Sequence, residues 1–107
     1  MGKILVVDDE LQIREFLRRA LGAEGYEITT VPTAAQAIEK IFEEPFDLVL
    51  ADFKLPNEDG ISLVKKIRES SAKLPVVIYT GGLTADLEKE VRQHAGLLEI
   101  VELDLAA

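Results

Sequence analysis

The chain contains no cysteine, and this absence excludes both a disulfide framework and a thiolate metal site. A cysteine-free composition fits a reducing compartment, so we expect the protein to be cytoplasmic. The chain also lacks a long hydrophobic run. The apolar run near its start is short and is followed at once by acids, so we expect neither a signal peptide nor a membrane span.

Positive charge is scarce. The chain has 12 lysines and arginines against 20 aspartates and glutamates, which gives a formal net charge of −8 and a sequence pI of about 4.6. Basic residues form no stripe along any segment, and binding of nucleic acid normally needs one. We therefore expect that this domain does not bind nucleic acid.

The length and the hydrophobic content point to one compact unit. Of 107 residues, 48% are hydrophobic, which is enough for one core and too little for two. There is no internal repeat, no low-complexity stretch and no linker rich in glycine or proline. We expect residues 1–107 to form a single domain.

Strand and helix patterns alternate along the chain. Continuous apolar runs rich in β-branched residues predict buried strands over 3–7, 26–31, 46–52 and 76–79. Residues spaced i, i+3 and i+4 predict helices with one apolar face each, and we expect Phe16 and Phe42 on these faces to be core residues. These faces comprise Ile13, Phe16, Leu17, Ala20 and Leu21; Ala34, Ala37, Ile38, Ile41 and Phe42; and Leu63, Val64 and Ile67.

The last quarter of the chain is less clearly patterned. Residues 84–95 predict a weaker fourth helix, and the tail 97–107 fits either a fifth strand or a helix. Alternating strands and helices with right-handed crossovers give an α/β fold, in which a doubly wound parallel sheet carries helices on both faces.

Polar and acidic residues follow three of the predicted strands. Asp8 and Asp9 come after the first strand, Asp52 ends the third, and Thr80 follows the fourth. Because ligands of open parallel sheets bind outside the carboxyl ends of the strands, we expect these side chains to share one pocket. A cluster of carboxylate oxygens there suits a hard divalent cation.

Three separated motifs carry a family resemblance. They are Val6-Val7-Asp8-Asp9-Glu10, the segment from Asp52 through Pro56 to Asp59-Gly60, and Pro75 to Thr80-Gly81. Together they resemble the response regulator receiver domain of two-component signalling, over about residues 3–96. The resemblance implies a flavodoxin-like sheet of order 2-1-3-4-5. No counterpart of the family's fifth helix is apparent before Ala107.

The resemblance also implies roles for individual residues. Asp52 matches the family's phosphoaccepting aspartate, and Thr80 matches its switch hydroxyl. Asp8, Asp9, Asp52 and the backbone carbonyl of Lys54 match its ligands for Mg²⁺, with Mn²⁺ as a substitute. The implied partner is a histidine kinase or a phosphotransfer protein. The domain would then be a regulatory phosphoacceptor that catalyses only its own phosphorylation and dephosphorylation, and not an enzyme.

Three of the site residues, Asp9, Asp52 and Thr80, also have simpler structural interpretations. Asp9 fits the N-cap of the first helix, with Gln12 three residues later. Asp52 fits an Asx turn before Pro56, and Thr80 fits a strand-end hydroxyl that caps nearby backbone. The only histidine, His94, is predicted to be a surface residue of a polar helix.

The C-terminal segment departs from the family pattern. The family has a lysine followed by proline at the end of its fifth strand; Leu103 falls near the lysine's place, and Ile100 near that of a common aromatic residue. The departure leaves open a degenerate receiver that acts as a phosphorylation-independent interaction module. An aspartyl-phosphate phosphatase is disfavoured because Lys54 stands where its general acid would be. Apolar surface left without a fifth helix predicts self-association through the C-terminal region.

Overall fold

The computed structural model describes residues 2–71, 73–81, 85, 89 and 99–102. Within these residues the chain alternates strands and helices, as the sequence predicts. The strands are β1 (Lys3–Val7), β2 (Glu27–Val31), β3 (Leu48–Asp52), β4 (Lys54–Leu55), β5 (Glu58–Asp59), β6 (Val76–Thr80) and β7 (Glu99–Glu102). The helices are α1 (Leu11–Ala23), α2 (Ala34–Glu43) and α3 (Gly60–Ser70).

Five strands form one parallel sheet in the order β2-β1-β3-β6-β7. Since β4 and β5 pair separately as a two-stranded antiparallel ribbon, this is the expected order 2-1-3-4-5, and the fold prediction is confirmed. Residues Glu99–Glu102 of the tail form strand β7, so the strand interpretation is confirmed for this part of the tail. Apart from Ala85 and Lys89, which are helical, the predicted helix 84–95 lies outside the described residues, as do 97–98 and 103–107.

Alternate residues of the central strands serve two cores. Leu5 and Val7 pack on the α2 and α3 side, where Leu63, Val64 and Ile67 of α3 are buried. Ile4 and Val6 pack on the α1 side with Leu17. A strand that is buried on both faces reads as a continuous apolar run, which is why β1 is apolar throughout.

The prediction that Phe16 and Phe42 belong to the core is wrong. Phe16 is 51% exposed and Phe42 is 73% exposed. Each helical residue advances by about 100° around the axis, so Phe16 lies well to the side of its buried neighbour Leu17. Phe42 stands at the edge of the apolar face in the last turn of α2. The sequence pattern therefore predicted wider buried faces than the helices have.

Polar side chains fix where α2 and α3 begin. The Thr33 hydroxyl accepts a hydrogen bond from the Gln36 backbone N–H at 3.2 Å and caps α2. The Asp59 carboxylate accepts from the Ser62 backbone N–H at 2.9 Å and caps α3. Each contact satisfies one of the amide groups that the first turn of a helix leaves without a partner.

The ribbon of β4 and β5 turns at Pro56 and Asn57, and Asn57 has a φ of 68°. Proline followed by asparagine in the left-handed region is typical of a tight type II turn. The ribbon leads into Gly60, where a Cβ atom would lie 2.8 Å from Ile78 Cδ1 and 3.2 Å from the Asp52 carbonyl oxygen. Glycine at this position therefore lets α3 begin directly against the end of β3.

Among the described residues, no helix is both long enough and apolar enough to cross a bilayer.

Candidate functional site

Three aspartates meet at the carboxyl ends of β1 and β3. Asp8, Asp9 and Asp52 each contribute a carboxylate oxygen, and these oxygens all lie within 4.8 Å of one another. Strands β1 and β3 are direct neighbours, so residues that are far apart in sequence end at the same edge of the sheet. The clustering expected from the strand ends is therefore present in the fold.

Asp8 is the most constrained of the three acids. It is only 2% exposed, and each of its carboxylate oxygens accepts a hydrogen bond. The Glu10 backbone N–H donates to Oδ1 at 2.8 Å, and the Tyr79 hydroxyl donates to Oδ2 at 2.6 Å. The guanidinium of Arg14 donates to the backbone carbonyl of Asp8 at 2.7 Å. Such contacts offset the cost of burying a carboxylate.

Asp52 is partly buried and faces a negative environment. Burial, followed by the charge of Asp8, raises the pKa of Asp52 from 3.8 to about 6, and the charges of Asp9 and Glu10 add to the effect. The Lys54 backbone N–H, which donates to Asp52 Oδ1 at 3.3 Å, lowers the pKa and so opposes this shift. That contact is also the expected Asx turn. At neutral pH the Asp52 carboxylate is mostly ionised, and its hydrogen bond from the Lys54 N–H, at 3.3 Å, is long.

Asp9 is exposed, and it does not cap α1. The N-cap residue of α1 is Glu10, which makes no side-chain capping bond, so the alternative interpretation of Asp9 is wrong. The helix begins one residue later than a cap at Asp9 requires. The Asp9 carboxylate instead belongs to the acidic cluster, on its solvent side.

Thr80 and Lys54 lie at the same cleft as the acids. The cleft has a volume of about 550 Å³ and is lined by Asp9, Glu10, Asp52, Lys54, Leu55, Pro56, Thr80 and Gly81. Thr80 is 6% exposed and ends β6, beside β3. The Thr80 hydroxyl and the carboxylates of Asp9, Glu10 and Asp52 therefore line one space large enough for a small phosphorylated group. His94 lies outside the described residues.

Tyr79 is the contributor that the sequence did not predict. Burial and the hydrogen bond to Asp8 raise the pKa of the Tyr79 hydroxyl well above its usual range. The hydroxyl therefore keeps its proton and acts as a donor to Asp8. The sequence shows only that a tyrosine directly precedes Thr80. Because an aromatic residue at a strand end is usually part of a core, this position alone does not predict the contact with Asp8. Arg14 gave no signal beyond its charge.

The chemistry of this cluster fits a hard divalent cation. All the grouped donors are carboxylate oxygens, and Mg²⁺ prefers oxygen ligands. Burial and then the charges of Asp8, Asp9 and Glu10 raise the pKa of Asp52, and a cation would offset the part of this shift that comes from the neighbouring charges. Asp8, Asp9 and Asp52 are the residues that would hold it.

We expect Mg²⁺ to raise the melting temperature of the protein. A ligand that binds only the folded state at tenfold excess over its Kd stabilises by about 1.4 kcal/mol, or roughly 5–10 °C for a domain of this size. Asp9→Asn should remove most of this shift. Asp47→Asn, at the opposite end of β3, should retain it. A parent melting curve that is indifferent to tens of millimolar Mg²⁺ would contradict the metal site.

Comparison with known proteins gives a consistent result. The family model described as "Response regulator receiver domain" matches residues 4–102. The chain is 38% identical over 81 residues to the response regulator receiver protein CpdR of Brucella abortus, which covers 76% of this chain and 68% of CpdR. It is 44% identical over 78 residues to the transcriptional regulatory protein ResD of Bacillus subtilis, with 73% of this chain but only 32% of ResD covered.

A solved structure agrees over nearly the whole chain. The response regulator TrrA of Thermotoga maritima, determined in complex with Mg²⁺ and BeF, superposes with a TM-score of 0.86 at 31% identity. The match covers 99% of this chain and 90% of TrrA. This similarity extends to the C-terminal strands.

Proposed function

This chain belongs to the response regulator receiver domain family, and we propose that it is a phosphorylation-dependent switch of two-component signalling whose phosphoacceptor is Asp52. One observation carries the proposal: the Asp52 carboxylate stands at a strand end, within 4.8 Å of the carboxylates of Asp8 and Asp9. A nucleophilic carboxylate beside two acids of a divalent-cation site is what aspartyl phosphorylation needs.

Asp52 acts as the nucleophile. One of its carboxylate oxygens forms a bond to the phosphorus of a phosphohistidine while the phosphorus–nitrogen bond breaks, and the product is an aspartyl phosphate. The pKa of about 6 leaves this carboxylate ionised at neutral pH and more basic than an ordinary aspartate. The Lys54 N–H contact, at 3.3 Å, orients the side chain toward the cleft.

Asp8, Asp9, Asp52 and the backbone carbonyl of Lys54 are the proposed ligands of Mg²⁺, with Mn²⁺ as a substitute. When bound, the cation neutralises the repulsion between the nucleophile and the incoming phosphoryl group. Asp9 is the proposed ligand most accessible to solvent, because its side chain is exposed. Asp8 is buried and held by hydrogen bonds.

Thr80 is the proposed switch residue. It ends β6 and lines the same cleft as Asp52, where its hydroxyl can donate to a phosphoryl oxygen that is present only after transfer. A contact made in only one state favours the conformation that permits it. Phosphorylation of Asp52 is thereby coupled to a change at the end of β6.

The proposal extends to the setting of the domain. Residues 1–107 act as one cytoplasmic receiver domain whose partner is a histidine kinase or a phosphotransfer protein. The domain catalyses only its own phosphorylation and dephosphorylation. The match spans about a third of the length of ResD. Self-association through the C-terminal region stays a prediction, since much of that region lies outside the described residues.

Incubation with acetyl phosphate tests the proposed chemistry. In the presence of Mg²⁺, intact-mass measurement should show the gain of one phosphoryl group, and a chelator should prevent it. Labelling that is unaffected by the chelator would contradict the role of the metal. The missing lysine favours one alternative, a degenerate receiver that binds its partner without phosphorylation. No gain of mass under any condition would support that alternative.

A further inference from the structure

The buried contact between Tyr79 and Asp8 links the core to the acidic cluster. We propose that Tyr79 is a positioning residue of the metal site, whose hydroxyl holds the Asp8 carboxylate in the orientation that the cation requires. The inference deepens the proposed function and rests on its metal site. Nothing in the three motifs that define the family resemblance assigns a role to this side chain.

Packing fixes where the Tyr79 hydroxyl lies. The side chain belongs to the core cluster on the α1 side of the sheet, together with Ile4, Val6 and Leu17, and the residue is only 6% exposed. Side chains that are packed at interior density adopt few rotamers. The hydroxyl is therefore held at the Asp8 carboxylate by the core itself, and not by a flexible surface contact.

The backbone of Tyr79 is paired with β3, the strand that carries Asp52. Tyr79 pairs with Asp52 in the register of β6 and β3, and its carbonyl accepts a hydrogen bond from the Phe53 N–H at 2.9 Å. One residue therefore touches the Asp52 segment through its main chain and Asp8 through its side chain. Its neighbour in sequence is Thr80, so a shift at the end of β6 would reach Asp8 through Tyr79.

Two hydrogen bonds hold the Asp8 carboxylate, one at each oxygen. Oδ1 accepts from the Glu10 N–H at 2.8 Å and Oδ2 accepts from Tyr79 at 2.6 Å, and these two bonds fix the plane of the carboxylate. Each carboxylate oxygen has two acceptor positions, so one position on each remains for a cation or its water ligands. Hydrogen-bond partners of this kind orient metal ligands, and their loss typically weakens metal binding about 10- to 100-fold.

The first test removes only the hydroxyl. Tyr79→Phe keeps the aromatic ring in the core cluster on the α1 side, and Tyr26→Phe makes the same change at the chain's other tyrosine, which is 42% exposed and precedes β2 at the opposite end of the sheet. Mn²⁺ binding is followed by electron paramagnetic resonance, and Mg²⁺ by competition. We expect Tyr79→Phe to bind about tenfold more weakly and Tyr26→Phe to match the parent. Equal or tighter binding by Tyr79→Phe would overturn the inference.

A double-mutant cycle separates positioning from a general loss of structure. If Tyr79 acts through Asp8, the effect of Tyr79→Phe on Mn²⁺ affinity should largely disappear in an Asp8→Asn background. An undiminished effect in that background would show that the tyrosine acts by another route. A parent protein that binds no metal would reject the proposed site itself, whereas normal parent binding with no effect of Tyr79→Phe rejects only the role of Tyr79.

A second measurement does not depend on the Tyr79 variant being folded. The chain has two tyrosines and no tryptophan, so in Tyr26→Phe the near-ultraviolet absorption of tyrosine comes from Tyr79 alone. A cation at Asp8 withdraws electron density from the carboxylate that accepts the Tyr79 hydrogen bond. Saturating Mg²⁺ should therefore shift this absorption band. An unchanged band in protein that binds Mg²⁺ would contradict the inference.

Discussion

Asp52→Asn is expected to abolish the incorporation of a phosphoryl group from acetyl phosphate. An amide oxygen is a far weaker nucleophile than a carboxylate, so the variant has no group that can form the acyl phosphate. The substitution is nearly isosteric, and the amide oxygen can still accept the Lys54 N–H that now bonds Asp52 Oδ1. Loss of labelling would therefore report the chemistry of the group and not a collapse of the loop. Intact mass after a fixed exposure measures the effect.

Asp47→Asn provides the matched control. Asp47 is an exposed acid just before β3, at the end of the strand away from the cluster, where it accepts a hydrogen bond from the Lys3 N–H at 2.7 Å. This variant should be labelled at the rate of the parent. If Asp52→Asn were labelled as well as Asp47→Asn, the phosphoacceptor would have to be another residue.

The same Asp52→Asn change is expected to stabilise the protein at neutral pH when metal is absent. The pKa of Asp52 is raised from 3.8 to about 6 in the folded state, so between these values the folded protein holds a proton that the unfolded chain has released. The free energy of unfolding therefore falls as the pH rises through this window. The shift sets an upper limit of about 3 kcal/mol, which solvent screening of this partly exposed group reduces to about 1–2 kcal/mol.

Chemical denaturation in a chelating buffer measures this effect. The free energy of unfolding is compared for the parent and for Asp52→Asn between about pH 4 and pH 7.5, so that the titration of other acids cancels in the difference. The free energy of unfolding of the variant should increase relative to that of the parent as the pH rises. Mg²⁺ should reduce this difference because it stabilises the parent. A difference that does not change with pH would show that burial and the acidic neighbours do not raise the pKa of Asp52 in the folded protein.

The backbone architecture was largely predictable because burial leaves a simple pattern. Strands buried on both faces must be apolar throughout, as β1 is, so such a strand is visible in the sequence as an uninterrupted apolar run. The clustering of Asp8, Asp9 and Asp52 followed from one rule about the carboxyl ends of parallel strands. Those predictions needed only local sequence and topology.

Other features depend on three-dimensional packing that the sequence does not express. Phe16 and Phe42 fit the apolar spacing of a helix, yet the sheet covers only part of each face, so both are exposed. The Tyr79 contact joins residues 71 apart and depends on which face of β6 the ring occupies. The burial of Asp8 likewise follows from its neighbours in space. Side-chain partners across a sheet are not encoded by periodicity.

Chemical trapping in the unmodified chain tests the central claim most directly. Protein that has been phosphorylated by acetyl phosphate with Mg²⁺ is treated with hydroxylamine, which converts an aspartyl phosphate to a hydroxamate, and the modified residue is located by peptide mass spectrometry. A hydroxamate at Asp52, absent when the metal is chelated, is the predicted result. A hydroxamate at another acid, or a phosphate that resists hydroxylamine on a serine or threonine, would contradict the assignment of Asp52 as the phosphoacceptor.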